Sequence, residues 1–481
     1  MLSITSRPRR ACDGTARRQL LQAAGTGLLG LSLPRVLAAE ELRGAPPRGA
    51  RAKSVIFLFL FGGPSQLETF DLKPDAPSSI RGPYKPIPSR TPGLLVSESL
   101  PKLAQLSHRY CVIRTMTHDF NDHSGGAHYI QTGHRWHVPI GGGFSPTPKD
   151  WPSIGSAVEY AAQQASGGAA RTLPAYMVLP NSLGILQEAG QYPRPGEHAG
   201  WLGKAYNPLT TAVAKRDLKD NPYWRDCTDE ELTFQLQGQS SRGEVRLDRL
   251  ERRRGLLEQL DDRRRLLDAD TTVASFDRFR QRALGLACSD RTYRALNLKE
   301  EPAALRDRYG RHLFGQSCLM ARRLVEAGVR FVTVHYDCCD GYSWDSHVHS
   351  DDVTKHLMPT TDQAASALLE DLHDRGLLDE TLVVMLGEMG RTPKANGRWG
   401  RDHWSTLFPA LVAGAGVRGG TCYGASDAEA AFPTENPVSP EDLAATLYQA
   451  LGLDPHMHVP DPEGRPTPLI EGGRPVTALF G

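Results

Sequence analysis

The sequence predicts an α/β protein with a mixed, mostly parallel central sheet flanked by helices, and with a helical insertion. Three observations lead there. Short, continuous apolar runs recur: Ser54–Phe61 (SVIFLFLF), Tyr110–Met116 (YCVIRTM), Val329–His335 (VRFVTVH) and Leu382–Leu386 (LVVML). Unbroken rather than alternating apolar character suits strands buried on both faces. Amphipathic segments of helical period lie between them. Each run ends in glycine or a dense polar cluster, as expected where ligands sit outside the carboxyl ends of strands.

The bulk numbers exclude some classes. Lys plus Arg number 56 and Asp plus Glu 55 in 481 residues, a net charge of +1. That balance gives no surface for nucleic acid. The 47 Gly and 35 Pro predict long, ordered loops. Eight cysteines without a CxxC pair argue against both a disulfide scaffold and a structural zinc of the usual type.

Residues 1–39 read as an export signal. Arg17-Arg18 precede a weakly apolar, Gly-rich stretch, Ala23 to Leu33, and small residues, Ala38-Ala39, suit cleavage. The apolar run is too short to span a bilayer. A twin-arginine (Tat) signal predicts a periplasmic or extracellular protein with no transmembrane segment after cleavage. Residues 40–53 form a linker, 54–455 the α/β domain, and 456–481 a Pro/Gly-rich tail over the surface.

Within the domain, Ser54–Phe61 ends at Gly62-Gly63-Pro64-Ser65. Ser65 reads as a nucleophile or anion-facing hydroxyl, or as the N-cap of a short helix. Tyr110–Met116 runs into a polar loop holding His118, Asp119, Asp122, His123 and His128 within eleven residues. A metal needs such convergent N and O donors, and His123 and His128 are the histidines taken as ligands. Ser153–Ala162 predicts a helix and Ala175–Leu179 a strand. From about 241 to 309 leucines at helical spacing among arginines and acids predict the insertion. Tyr309–Ala327 predicts a helix, and the strand Val329–His335 leads to Trp344-Asp345-Ser346-His347. Asp345 and His347, two apart, can point the same way in an extended segment. Cys338-Cys339 are read as thiols, a weaker basis for redox chemistry. Asp362–His373 predicts a helix, and Leu382–Leu386 leads to Glu388, Arg391, Asp402 and His403. Phe408–Ala415 predicts a strand, with Gly416–Tyr423 a turn and hairpin. Ser439-Pro440-Glu441-Asp442 starts a helix to Leu451.

Several of these stretches resemble one known family: FLFGGPSQLETFDLKP, HDFNDHSGGAHYIQTG, AGWLGKAYNP, WDSH, GEMGRTPKANGRWGRDHW, the leader and the helix from Leu443 toward Pro455. Together they resemble the bacterial family called domain of unknown function 1501 and, more broadly, the alkaline phosphatase and sulfatase superfamily. The resemblance implies a divalent metal (zinc, calcium or manganese) held by Asp345, His347 and His403. It places Ser65 near the nucleophile position. Where such enzymes carry an Asp-His pair for a second metal, this chain has Glu388-Met389. Met does not replace a hard-metal histidine.

The function expected is an exported, metal-assisted hydrolase of phosphate or sulfate esters, acting on an anionic ester such as a sulfated or phosphorylated polysaccharide. Arg391 is expected to fork onto the anion, and Glu388 and Asp402 to serve as ligand, base or orienter of a histidine. The alternative is a non-catalytic chain of the same fold that binds an anionic polysaccharide or a partner protein outside the cytoplasm.

Overall fold

Side chains of the first strand, Ser54–Phe59 (β1), enter two cores in alternation. Ile56 and Leu58 go to one face, Val55, Phe57 and Phe59 to the other. Burial on both faces is the physical content of the unbroken apolar run. The computed structural model describes residues 50–143, 145–165, 173–180, 194–213, 220–236, 290–336, 344–348 and 350–481. The export-signal reading of 1–39, the insertion up to residue 289, and Cys338-Cys339 lie outside the described residues.

Eight strands join β1 in one sheet: Tyr110–Met116 (β2), Tyr176–Leu179 (β3), Leu209–Ala212 (β4), Gln235–Leu236 (β5), Phe331–His335 (β6), Thr381–Leu386 (β7), Phe408–Ala413 (β8) and Thr421–Tyr423 (β9). Their order is β9-β2-β8-β7-β1-β6-β3-β4-β5. β1 pairs in parallel with β6 and β7, setting Phe59 opposite His335 and Leu386. Within this sheet, β8 and β5 run against the other described strands. The carboxyl ends of β1, β2, β6 and β7 therefore open on one edge.

Helices cover both faces. His123–Thr132 (α1), Ile154–Ala165 (α2) and Pro440–Ala450 (α5) pack on the Val55–Phe59 face. Leu313–Glu326 (α3) and Met358–Asp374 (α4) pack on the other. The start of α5 is fixed by a reciprocal pair: Ser439 accepts from the Asp442 N–H and Asp442 from the Ser439 N–H. A π-helical turn, Val353–Leu357, leads into α4, whose second residue, Pro359, has no N–H to give.

The structure differs from expectation in four places. The stretch from His123 to His128 is the first half of α1, with Asp122 capping the Gly125 N–H at 2.9 Å. Gly125 and Gly126 made it look like a loop, but contact requires the first. A Cβ at Gly125 would fall 1.8 Å from the Phe120 ring, whereas one at Gly126 would meet the Glu388 carbonyl at an ordinary contact distance of 3.4 Å. Tyr309 closes a separate helix, Ala303–Tyr309, and the chain breaks at Gly310 (φ +91°) before His312 caps α3. β9 makes no hairpin with β8 but pairs in parallel with β2. In the tail, Val459, Leu469, Ile470, Leu479 and Phe480 are buried in the core under α5 rather than lying over the surface.

Candidate metal centre

Asp345 is where the strand ends converge. It follows β6, and its backbone passes so close to the turn after β1 that a Cβ on Gly62 would sit 2.4 Å from the Asp345 nitrogen. Gly62, at φ +113°, meets this with no side chain. Around the Asp345 carboxylate stand His123 Nε2 at 3.0 Å from Oδ2, and His347 Nε2 at 3.0 Å and His403 Nε2 at 3.3 Å from Oδ1. His347 Nε2 and His403 Nε2 face each other at 3.1 Å. His123, Asp345 and His403 also offer ligand atoms all within 4.8 Å of one another.

The other ring nitrogen of each histidine meets an oxygen acceptor. His123 Nδ1 is 2.5 Å from Glu388 Oε1, His347 Nδ1 2.9 Å from Asp402 Oδ1, and His403 Nδ1 3.3 Å from the Asn121 carbonyl. For His347 and His403 these partners assign the proton to Nδ1 and leave the Nε2 lone pairs turned inward, whereas His123 has a carboxylate at each nitrogen. Two lone pairs facing at 3.1 Å repel unless a cation or proton lies between them. Zinc bonds of about 2.0–2.1 Å in a tetrahedron set ligand-to-ligand edges of about 3.3 Å. The three edges among His347, His403 and Asp345 match that spacing, so these donors fit a divalent ion.

Backbone and carboxylates hold this arrangement. Glu388, fully buried after β7, accepts the Gly62 N–H at 2.9 and 3.1 Å with its two oxygens. Its carbonyl meets His118 Nε2 at 2.6 Å. Arg391 and His403 are directly opposed across a two-stranded ribbon, Gly390–Arg391 with His403–Trp404. Burial alone would lift the Asp345 carboxyl. Hydrogen bonds to His123 and His403, with the charges of His123 and Arg391, outweigh it and hold Asp345 far below the usual carboxylate range. Burial also opposes charge on His123, but Asp345 and Glu388 prevail and raise it to about 9. Lacking a carboxylate at its ring, His118 is lowered by burial to about 4.

Asp345, His347, His403 and His123 thus come together, and His128 does not. Five residues along α1 from His123, His128 lies on another face. It is stacked on Trp136, with Nδ1 3.0 Å from the His134 carbonyl, and burial lowers it to about 3. Glu388 and Asp402 are orienters of histidines rather than free bases. Arg391 is not a free anion fork: all five of its N–H groups are directed at protein atoms. Nε donates to the Gly63 carbonyl, Nη1 to the Arg401 carbonyl and toward His347 Nε2, and Nη2 to the Gly62 carbonyl and Asp345. Ser65 occupies the N-cap position of a short 3₁₀ turn without capping it. Its buried Oγ has no hydrogen-bond partner among the described residues, and Ser65 lines a cavity of about 10 Å³ beside Arg391 and Ser346.

Asn121 and Gly62 are site residues that the sequence did not single out. Gly62 contributes a main-chain N–H, which any residue carries, and Asn121 contributes its main-chain carbonyl to His403 Nδ1 together with a side chain that donates to the His403 carbonyl at 3.2 Å and accepts from the Ser405 N–H at 2.9 Å. Only the φ of Gly62 leaves a trace, as a glycine at a strand end.

No functionally curated protein matches the chain. Among solved structures, it is similar to Ps i-CgsB in complex with k-i-k-neocarrahexaose at 11% identity, covering 83% of this chain and 72% of that one with a TM-score of 0.39. Phosphonate monoester hydrolase SpPMH from Silicibacter pomeroyi is similar at 12% identity, over 89% of this chain and 76% of that one, TM-score 0.33. Alkaline phosphatase from the Antarctic bacterium TAB5 is similar at 15% identity, over 79% of this chain and 96% of that one, TM-score 0.32. Likeness at this level concerns the course of the chain and not the site. The family profile described as protein of unknown function (DUF1501) matches residues 52–480, and the chain belongs to that family.

Proposed function

We propose that the chain is a metal-dependent hydrolase of phosphate or sulfate esters, built on one metal centre and acting outside the cytoplasm. The observation that carries this reading is the common orientation of His123, His347 and His403, each tied at Nδ1 and turned by Nε2 toward Asp345. Imidazole-rich donors favour zinc over calcium, which takes oxygen ligands. His347, His403 and Asp345 would hold the ion, with His123 at the rim. Bound there, a divalent cation supplies Lewis acidity to an ester oxygen. Glu388 keeps His123 aimed, and Asp402 does the same for His347. Arg391, anchored to the Gly62 and Gly63 carbonyls, fixes the Asp345 carboxylate and offsets its charge. His123, raised toward 9 between two carboxylates, holds a proton at Nε2 that a leaving oxygen can take.

The test is metal analysis of the purified protein beside Asp345→Ala and His403→Ala, with turnover of methyl and aryl phosphates and sulfates. One bound metal, lost in both variants together with turnover, is the expected result. A metal-free protein without turnover overturns the reading. Two observations favour the binding alternative: Arg391 has no free donor, and among the described residues Ser65 Oγ has no hydrogen-bonded base. Bound metal without turnover of any ester would select that alternative.

A further inference from the structure

We propose that Trp399 determines specificity at this site, its exposed indole face receiving the pyranose ring of a sugar whose anionic ester reaches the Asp345 centre. The assignment rests on the ester-hydrolase reading above. Trp399 is 37% exposed and sits at φ +60°, a left-handed conformation rare for a bulky side chain. Such strain persists only where the surroundings impose it, and it gathers at ligand-binding positions.

Here Asn396 imposes it. The Trp399 N–H donates to the Asn396 carbonyl at 3.0 Å, and the Asn396 N–H to the Gly400 carbonyl at 2.9 Å. Asn396 Oδ1 accepts the N–H groups of Arg398 and Gly400 at 2.9 and 3.1 Å. Asn396 Nδ2 then clamps the whole turn to the carbonyl of His347 at 2.5 Å. Gly400 is pressed so closely there that a Cβ would lie 1.6 Å from the same carbonyl. The Trp399 main chain is therefore fixed beside the backbone of a proposed metal ligand, and Trp399 lines the small cavity beside Arg391. Val348, next to His347, is 40% exposed and extends the apolar surface.

The surroundings specify the ring. An aryl group would call for an enclosed apolar slot. Trp399 instead lies open among exposed Lys394, Asn396, Arg398 and Asp402. Lys394 and Arg398 have no carboxylate partner among the described residues. A flat apolar face with polar groups around it matches a pyranose, whose C–H face meets the electron-rich indole while its hydroxyls reach the rim. Two free cations suit a ring that carries anionic substituents.

The experiment compares wild type, Trp399→Ala and Trp399→Phe, all metal-loaded, on glucose 6-phosphate and glucose 6-sulfate against methyl phosphate and methyl sulfate. For Trp399→Ala, the ratio of kcat/KM for sugar ester over methyl ester should fall about tenfold, through KM, with Trp399→Phe recovering most of it. An unchanged ratio overturns the assignment while leaving the hydrolase reading intact. If wild type turns over no ester, the hydrolase reading fails on its own. The platform is then read by affinity electrophoresis in gels containing dextran sulfate or dextran. Retardation by dextran sulfate that Trp399→Ala abolishes supports it. Equal retardation of both proteins, or none of either, overturns it.

Discussion

Two histidine–carboxylate pairs flank Asp345, and they differ in burial. On one side Glu388, with no exposed surface, holds His123. On the other, Asp402, whose side chain is 75% exposed, holds His347. The chemistry is the same, yet the first pair is locked by the Gly62 N–H and by helix α1 packed against Glu388, while the second stands at the solvent edge. A carboxylate removed from water interacts more strongly and is harder to replace, so the contrast teaches where the site is rigid and where it is tunable.

The largest effect is expected from Glu388→Ala. It strands the buried Gly62 N–H and removes one of the two carboxylates that meet His123, which costs about 1–3 kcal/mol of stability. Metal affinity should fall at least 10- to 100-fold. Denaturant unfolding and competitive metal titration measure the two. Glu388→Gln, which retains an acceptor for Gly62, should lose less stability. An equal loss in both variants would mean that charge, not hydrogen bonding, is the essential property. Asp402→Ala should weaken metal binding by about tenfold, with a stability change within about 0.5 kcal/mol. A loss as large as that of Glu388→Ala would erase the contrast.

A finer distinction separates the two rings on Glu388 itself. His123 meets the carboxylate and is raised to about 9; His118 meets the carbonyl and is lowered to about 4. For His123 the folded value lies above the unfolded 6.5 or so, so its contribution is full below 6.5 and is lost as pH rises through 9. For His118 the folded value lies below, so its contribution is full above 6.5 and is lost as pH falls through 4. With chelator present, stability should therefore peak near pH 6.5. A profile flat from pH 4 to 9 would contradict both assignments. A smaller signal follows on the metal side. At pH 7 a metal held by Asp345, His347 and His403 leaves the His123 proton in place, so calorimetry in buffers of different ionisation enthalpy should register well under one proton released, and release of about one proton would mean that the metal engages His123 Nε2.

Much of this was legible in the sequence because it depends on strand periodicity and side-chain type. The apolar runs located β1, β2, β6 and β7 to within two residues, and Asp345, His347 and His403 were visible as donors at strand ends. The rest depends on groups without a sequence signature. Arg391 looked like a free anion binder because the carbonyls of Gly62, Gly63 and Arg401 that occupy it are invisible in the chain's lettering. His123 and His128 looked equivalent until α1 turned them to different faces. Gly125-Gly126 concealed that helix, since the requirement for glycine at 125 came from the Phe120 ring, five residues upstream.

The ribbon that opposes Arg391 to His403 has a consequence for how this family can vary. The pairing sets the two residues opposite each other, and Asn396, Arg401 and Asp402 in the intervening loop add the contacts that hold His347 and Arg391. Side chains at 394, 398 and 399 can change while those three residues and the ribbon, and with them the metal-facing geometry, stay put. That loop carries Lys394, Arg398 and Trp399. Substrate preference can thus shift at positions 394, 398 and 399 with the centre unchanged, and relatives that differ only there share one centre and differ in what they bring to it.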